Sequence, residues 1–287
     1  MVGLKIIGLF LIVFAAAWLA SVVSAGGGGR SAAGTLESLA DLGGDSCNVV
    51  GIDLHGCLYT YAPDTSADSS GSASSGCDTI VASEDVVGYL KDAKEKDSVK
   101  AIFLDIDSPG GQPQAAVEIA AALKATGKPV IALIRGYGDS AAYWIASGAD
   151  TLIASKESDV GSIGVTSSYV DNSKQNALDG LTYNSLSTGK FKDTGSTDKP
   201  LTEEEKAYIR KSLNTTFEDF IQTVATNRHL SVEKVRALAD GSSMLGEEAL
   251  ANGLIDALGV QHDAFDALEK RIKAKPDLCW PQYQNSK

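Results

Sequence analysis

The chain has 287 residues, of which 44% are hydrophobic, so it is long enough to bury the core of one large domain or two small ones. Its formal net charge of −12 excludes the basic surface that nucleic-acid binding requires and disfavours adsorption to anionic lipid. We therefore expect partners other than nucleic acid.

The N-terminal segment contains an uncharged, strongly apolar run at residues 6–24. A run of 19 residues is long enough to span a bilayer, so residues 1–25 are predicted to form a transmembrane anchor. Val23-Ser24-Ala25 also fits the cleavage site of a secretory signal, and that alternative stays open. In either case the body of the protein lies outside the cytoplasm. The glycine-rich stretch 26–46 is predicted to be a flexible linker.

The chain contains four cysteines with no CxxC pair and no metal-binding spacing: Cys47, Cys57, Cys77 and Cys279. A compartment outside the cytoplasm permits disulfides. Three pairings are possible. We favour Cys57 with Cys77, which flank the low-complexity loop 63–76, and then Cys47 with Cys279.

Strand-like and helix-like runs alternate from residue 48 onward. Strands are predicted at 49–55, 99–106, 129–134, 151–154, 163–169 and 181–186, and helices at 84–96, 113–126, 141–148 and 172–178. This alternation predicts an α/β layered fold in which helices cover a largely parallel sheet.

The C-terminal part is predicted to be helical, at 202–227, 231–239, 246–252 and 261–273. Thr202 and Glu205 form a capping box at the start of the first of these helices. Its apolar residues recur at helical spacing: Ile209, Leu213, Phe217, Phe220, Ile221 and Val224. We interpret this stripe as a packing surface, within the core or between subunits.

Ser140 is the most informative candidate for chemistry. It lies between the apolar run 130–134 and a helix-like run that begins near Tyr143. A serine at a strand-to-helix turn holds its hydroxyl near backbone N–H groups, where a nucleophile and an oxyanion hole can coexist. The simpler interpretation is a helix N-cap. A second strand-turn-helix unit has its turn at 107–111, which suggests one shared site.

Five ordered sequence words carry a resemblance to a known family. They are Leu-Asp-Ile-Asp-Ser-Pro-Gly-Gly at 104–111, Ser-Ala-Ala-Tyr-Trp-Ile-Ala at 140–146, Gly-Ser-Ile-Gly-Val at 161–165, Ser-Thr-Gly-Lys-Phe-Lys-Asp at 187–193, and Gly-Glu-Glu-Ala at 246–249 with Gly-Leu-Ile-Asp at 253–256. On these words the chain resembles the short, single-domain form of the signal peptide peptidase A family of membrane-anchored serine proteases. The resemblance implies a crotonase-like, Clp-protease-like fold, with a peptidase domain over 47–275 and a tail over 276–287.

The resemblance also implies a Ser-Lys dyad. Ser140 matches the nucleophile and Lys192 matches the general base. The backbone N–H groups of Gly111 and Ala141 match the oxyanion hole, and Ser162 matches the serine that orients the lysine amine. Family members commonly carry two glycines after the nucleophile, whereas two alanines follow Ser140 here.

A lysine base must lose its proton near neutral pH, which requires burial without a close carboxylate. We therefore expect Lys192 in an extended segment, with Asp193 on the opposite face. Lys190 is the second choice for the base. Among the three histidines, His55 at the end of the first strand is the alternative that stays open. Asp139 is expected to point away from the site.

The function expected from the resemblance is a membrane-anchored serine endopeptidase acting on signal-peptide remnants or other membrane-adjacent polypeptides. It would be a single-pass protein of the cell membrane, with the catalytic domain outside the cytoplasm and active sites shared within a homo-oligomer. The alternatives are a related protease of the stomatin-partner type, a catalytically inactive membrane scaffold, and a crotonase-type acyl-CoA enzyme. No metal, nucleotide or other cofactor site is recognised in the sequence.

Overall fold

The computed structural model describes residues 47–62, 77 and 79–281. The predicted membrane anchor, the linker 26–46 and the low-complexity loop 63–76 lie outside the described residues. Within the described ranges, no helix combines the length and the apolar character needed to cross a membrane.

A largely parallel sheet forms the centre of the described chain. Its strands are β1 (Val49–Tyr59), β2 (Ile80–Ala82), β3 (Ala101–Gly111), β4 (Val130–Asp139), β5 (Thr151–Ala154), β6 (Asp159–Gly161), β7 (Ser243–Leu245), β8 (Ala257–Leu258) and β9 (Leu278–Cys279). The main order is β2-β1-β3-β4-β5-β8, while β6 pairs with β4 and β9 with β1. Only the pairing of β6 with β7 is antiparallel among these strands. The predicted mixed α/β fold with a largely parallel sheet is confirmed.

Helices cover both faces of this sheet. They are α1 (Ser83–Glu95), α2 (Pro113–Thr126), α3 (Ala141–Ala146), α4 (Ser173–Leu178), α5 (Glu203–Asn227), α6 (Val232–Leu238), α7 (Gly246–Asn252) and α8 (Gln261–Ile272). Ile102 and Leu104 belong to the larger apolar cluster, which includes residues of α1, α2, α3 and α5. Phe103 between them belongs to a smaller cluster with Ala264 and Leu268 of α8. Because side chains alternate along a strand, the two clusters lie on opposite faces.

Two of the predicted strands are wrong. Residues 163–169 and 181–186 form no strand in the described chain. Ile163 packs in the larger apolar cluster, but no described strand pairs with either segment, and Leu186 is 99% exposed. Strand propensity reflects packing on a half-buried sheet, so an alternating pattern without a partner strand does not form one.

The described chain contains two disulfides, with sequence separations of 232 and 20 residues, and their pairing is the one that the sequence favours. Cys47 is bonded to Cys279 with Cα atoms 5.7 Å apart, and Cys57 to Cys77 with Cα atoms 5.9 Å apart. The first bond lies where β9 pairs with the start of β1. The end of the described chain is therefore part of the sheet.

Candidate active site

Ser140 occupies a strained turn between β4 and α3. Its φ is 53° and its ψ is −122°, a conformation that costs a non-glycine residue about 1–3 kcal/mol. Its N–H donates to the carbonyl of Gly161 at 2.8 Å, and its carbonyl accepts from the N–H of Trp144 at 2.9 Å. Its side chain makes no capping hydrogen bond with α3. The N-cap interpretation of the hydroxyl is therefore wrong, and the hydroxyl is available for chemistry.

Two glycines at the end of β3 allow close packing, one against this turn and the other against β1. A Cβ at Gly110 would lie 2.8 Å from the Cβ of Ser140 and 3.0 Å from the backbone nitrogen of Ala141. Gly111 has a φ of 153°, and a Cβ there would collide with the backbone of Leu58 in β1. Close packing against β1 is a reason for glycine at 111 that the sequence did not reveal.

Ser140, Gly111 and Ser162 line one cavity of about 540 Å³. The helix α5 forms a wall of this cavity through Leu213 and Phe217. This wall was missed at the level of sequence, where the whole stripe was interpreted as packing. The signal that could have found it is polar: Arg210 and Asn214 share the same face of the helix and also line the cavity.

Ser162 also has left-handed backbone geometry, with a φ of 46°. Its N–H donates to the carbonyl of Ser242 at 3.1 Å, and its hydroxyl donates to the carbonyl of Gly241 at 3.0 Å. The lone pairs of the hydroxyl oxygen are left to accept a hydrogen bond from an amine in the cavity. Ser140 and Ser162 are two of the four described non-glycine residues with positive φ, the others being His229 and Lys273.

Ala141 and Ala142 are both buried and form the first two positions of α3. The first N–H groups of a helix have no acceptor within the helix. The N–H of Ala141 can therefore donate to an oxygen beside Ser140. The helical backbone that this role needs is retained with alanine at both positions.

Lys192 is not among the residues that line the cavity with Ser140. It lies in an exposed turn, where its N–H donates to the carbonyl of Gly189 at 3.0 Å. The extended segment expected around Lys192 is therefore wrong, and one copy of the chain leaves this lysine exposed. The physical reason is that residues 181–200 have no partner strand in the described chain, and residues 190–195 and 197–198 form turns.

Lys190 and Asp193, the charged residues near Lys192 in sequence, each contact another side chain. The Nζ of Lys190 lies 2.7 Å from Oε1 of Glu204 and forms an ion pair with it. The hydroxyl of Tyr183 donates to Oδ1 of Asp193 at 2.5 Å. Lys190 is therefore a poorer candidate for the base than Lys192.

Hydrogen bonds to Glu205 connect the segment that carries Lys192 to the start of α5. Its carboxylate accepts hydrogen bonds from Nζ of Lys199 at 2.7 Å and from the hydroxyl of Thr194 at 3.3 Å. It also completes the predicted capping box with Thr202. The Lys199 hydrogen bond and then the Thr202 N–H hold the pKa of Glu205 at about 2, so the carboxylate stays charged at neutral pH.

His55 is likewise absent from the lining of the Ser140 cavity. Its Nε2 lies 3.6 Å from Oδ1 of Asp105, and contact with that carboxylate raises the pKa of His55. Ligand atoms of Asp53, His55 and Asp105 lie within 4.8 Å of one another, as metal ligands do. However, Nη1 of Arg135 lies 3.1 Å from Oδ2 of Asp105 and places a positive charge there. The structure does not support His55 as the base.

Asp139 directly precedes Ser140 but does not line the cavity. Its Oδ1 is buried without a hydrogen-bond partner among the described residues. Burial raises the pKa of Asp139 from 3.8 to about 6, and the nearby Asp159 carboxylate adds to the rise. A buried carboxylate without a partner is unfavourable, so this residue weakens the fold when it is charged.

We expect Asp139→Asn to stabilise the protein by about 1 kcal/mol at about pH 8 and by almost nothing below about pH 4. The unfolded chain releases the Asp139 proton near pH 3.8, but the folded chain holds it to about pH 6. The wild type therefore loses stability at this site as pH rises through that interval. Urea unfolding of both proteins across this range measures the difference. An asparagine variant that is less stable than the wild type at about pH 8 would contradict this account.

Comparison with known families agrees with the geometry of the site. The chain matches the family model of peptidase family S49 over residues 122–275, which include Ser140, Ser162 and Lys192. It matches the Clp protease model over residues 75–159, which include Gly111 and Ser140.

Individual relatives point the same way. The chain is 38% identical to a candidate protease of Methanocaldococcus jannaschii, over 64% of this chain and 60% of the relative. It is 33% identical to a candidate signal peptide peptidase SppA of Enterococcus faecium, over 68% of this chain and 58% of the relative. It is 34% identical to Protease 4 of Salmonella typhi, over 68% of this chain and 32% of the relative. The matches thus span less than two thirds of each relative's length. The S49 model nevertheless matches more than half of this chain, and the resemblance to the signal peptide peptidase A family is confirmed: the chain belongs to peptidase family S49.

Proposed function

We propose that the protein is a serine endopeptidase with Ser140 as its nucleophile and Lys192 as its general base. The observation that carries the proposal is the strained turn at Ser140, whose hydroxyl makes no capping bond and lines a cavity. Membership of family S49 and relatives named as proteases support peptide hydrolysis.

The chemistry would proceed in two steps. In the first, Oγ of Ser140 attacks the peptide carbonyl while its proton passes to the neutral amine of Lys192. The N–H groups of Gly111 and Ala141 stabilise the oxyanion, and Lys192 then protonates the leaving amine. In the second step, water attacks the acyl-enzyme carbonyl and gives a proton to Lys192. Lys192 passes that proton to Oγ of Ser140 as the ester C–O bond breaks, which releases the new carboxylic acid and restores the neutral amine and the serine hydroxyl.

The exposed position of Lys192 favours a site shared between copies of the chain. Apolar side chains along the same segment are exposed, with Leu178 at 83% and Leu186 at 99%. An apolar surface of this kind is more stable when a second subunit covers it. In this proposal the segment packs against a neighbouring copy and brings Lys192 beside the neighbour's Ser140 and Ser162. A lysine enclosed in that way would lose the solvation that keeps it protonated.

We also propose that residues 6–24 anchor the protein in the cell membrane, with the peptidase domain outside the cytoplasm. Two disulfides within the described chain support this location, because disulfides persist in oxidising compartments. Substrates would be signal-peptide remnants or other membrane-adjacent polypeptides in extended form.

The test is cleavage of a library of internally quenched peptides by the full-length chain, with product bonds identified by mass spectrometry. We expect cleavage at internal peptide bonds without added metal or nucleotide. A folded, oligomeric protein that cleaves no member of the library would contradict the proposal and favour the inactive scaffold.

A further inference from the structure

One face of α5 contributes a charged residue, Arg210, to the cavity that Ser140 lines. Arg210, Leu213, Asn214 and Phe217 follow one another at helical spacing and all line this cavity. Phe217 and Leu213 are apolar. Arg210 is cationic and lies two turns before Phe217, nearer the start of the helix. The wall therefore changes along its length from apolar to cationic.

Arg210 is exposed, and no hydrogen bond or ion pair joins it to another residue in the described ranges. Two acidic side chains on the same helix are paired with other cations. Glu203 lies 2.7 Å from Nζ of Lys206, and Glu218 accepts from Nη1 of Arg236 at 2.6 Å. No carboxylate of the described residues lies within ion-pair distance of Arg210, although Arg210 adds a smaller contribution to the lowering of the Glu203 pKa that Lys206 dominates.

The negatively charged residue in the cavity lining is Asp240, and its carboxylate is hydrogen-bonded within its own turn. Oδ1 of Asp240 accepts from the N–H of Ser242 at 2.9 Å and from its hydroxyl at 2.5 Å. These hydrogen bonds lower the pKa of Asp240. Asp240 is not within ion-pair distance of Arg210. Among the described lining residues, Arg210 is the cation left to bind an incoming anion.

The spacing along α5 indicates where that anion would lie. The indole of Trp144 stacks on the ring of Phe220 with ring centroids 4.6 Å apart. The backbone N–H of Trp144 donates to the carbonyl of Ser140. The Phe217 end of the face is therefore the end nearer to Ser140. Phe217 lies seven positions after Arg210 in the helix, a rise of about 10 Å, which equals about three residues of extended peptide.

We propose that Arg210 binds a carboxylate of the substrate peptide. This carboxylate lies about three substrate residues away from the substrate residue that contacts Phe217. The carboxylate belongs either to an acidic side chain or to the C-terminus of the peptide. A guanidinium pairs with either through two parallel N–H···O bonds. The inference rests on the proposed peptidase function and gives that site its substrate preference.

The test uses the full-length chain and two sets of peptides. In amidated peptides, Glu is compared with isosteric Gln at each position within about four residues of the cut. In Gln peptides, a free C-terminus is compared with an amide. We expect a preference of about fivefold for the carboxylate in one of the two sets. The set that shows it identifies the source of the carboxylate.

Arg210→Gln should bring this preference to about one, because cleavage of the carboxylate peptide loses the advantage that the guanidinium gives it. Lys211→Gln is the matched control, because it removes the same charge from the next residue, which does not line this cavity. It should retain the preference. A carboxylate preference that persists in Arg210→Gln, or no preference in the wild type, overturns the inference.

Binding to the Ser140→Ala protein separates this inference from the peptidase proposal. Fluorescence anisotropy of labelled Glu and Gln peptides reports the cavity without turnover. If the carboxylate peptide binds about fivefold more tightly and Arg210→Gln removes the difference, the inference holds even if the wild type cleaves nothing. Cleavage with no charge preference in binding or turnover would retain the peptidase and reject the Arg210 site.

Discussion

Ser140→Ala should lower peptide hydrolysis by at least about 10⁴-fold, because no other group at this turn can form the acyl-enzyme. The substitution removes one oxygen that makes no capping bond, so the thermal unfolding temperature should stay close to that of the wild type. Turnover under saturating substrate, measured beside circular dichroism, tests both statements. Ser212→Ala on the exposed side of α5 is the control and should retain activity.

Ser140→Gly extends the same test to the strain in the turn. Glycine adopts a φ of 53° without steric cost, so this variant should be more stable than Ser140→Ala by about 1 kcal/mol and equally inactive. Residual hydrolysis in both variants would place the nucleophile elsewhere in the chain.

Lys192→Ala should lower turnover by about 10²–10⁴-fold, the range that a general base contributes. Lys192→Arg should not restore activity, since a guanidinium remains protonated and cannot accept the serine proton. This outcome distinguishes a base from a lysine that only supplies positive charge or packing. The measurement is turnover between about pH 7 and about pH 9, with oligomer size checked by light scattering.

Lys190→Ala is the matched control for the second prediction. It removes a cation two residues away that is paired with Glu204. We expect it to keep most of the activity. Loss of activity in Lys190→Ala with full activity in Lys192→Ala would exchange the roles of the two lysines.

Local signals predict some elements of the fold to the residue. Pro113 at the first position and Gly127 in left-handed geometry after the last one define α2 at its predicted bounds. The strands β6, β7 and β8 have two or three residues each, too short for a periodic pattern. Their pairing depends on tertiary neighbours rather than on their own sequence.

The candidate site likewise contains residues that could be predicted from the sequence and residues that could not. Ser140 could be predicted from its position at a strand-to-helix turn, whereas Gly111 and Ser162 were predicted from the family resemblance of their sequence words. The position of Lys192 could not be predicted, because an exposed segment without a partner strand has no local signal for its path. The wall at Arg210 was missed because a helical stripe does not reveal which of its turns faces solvent.

The central claim is that a site combines Ser140 of one copy with Lys192 of another. The most direct test mixes Ser140→Ala and Lys192→Ala proteins, each inactive alone, after reversible dissociation and reassembly. Random assembly of equal amounts should restore about a quarter of wild-type activity, because each site draws its serine and its lysine independently. Mixed oligomers that form but recover no activity would contradict the shared site.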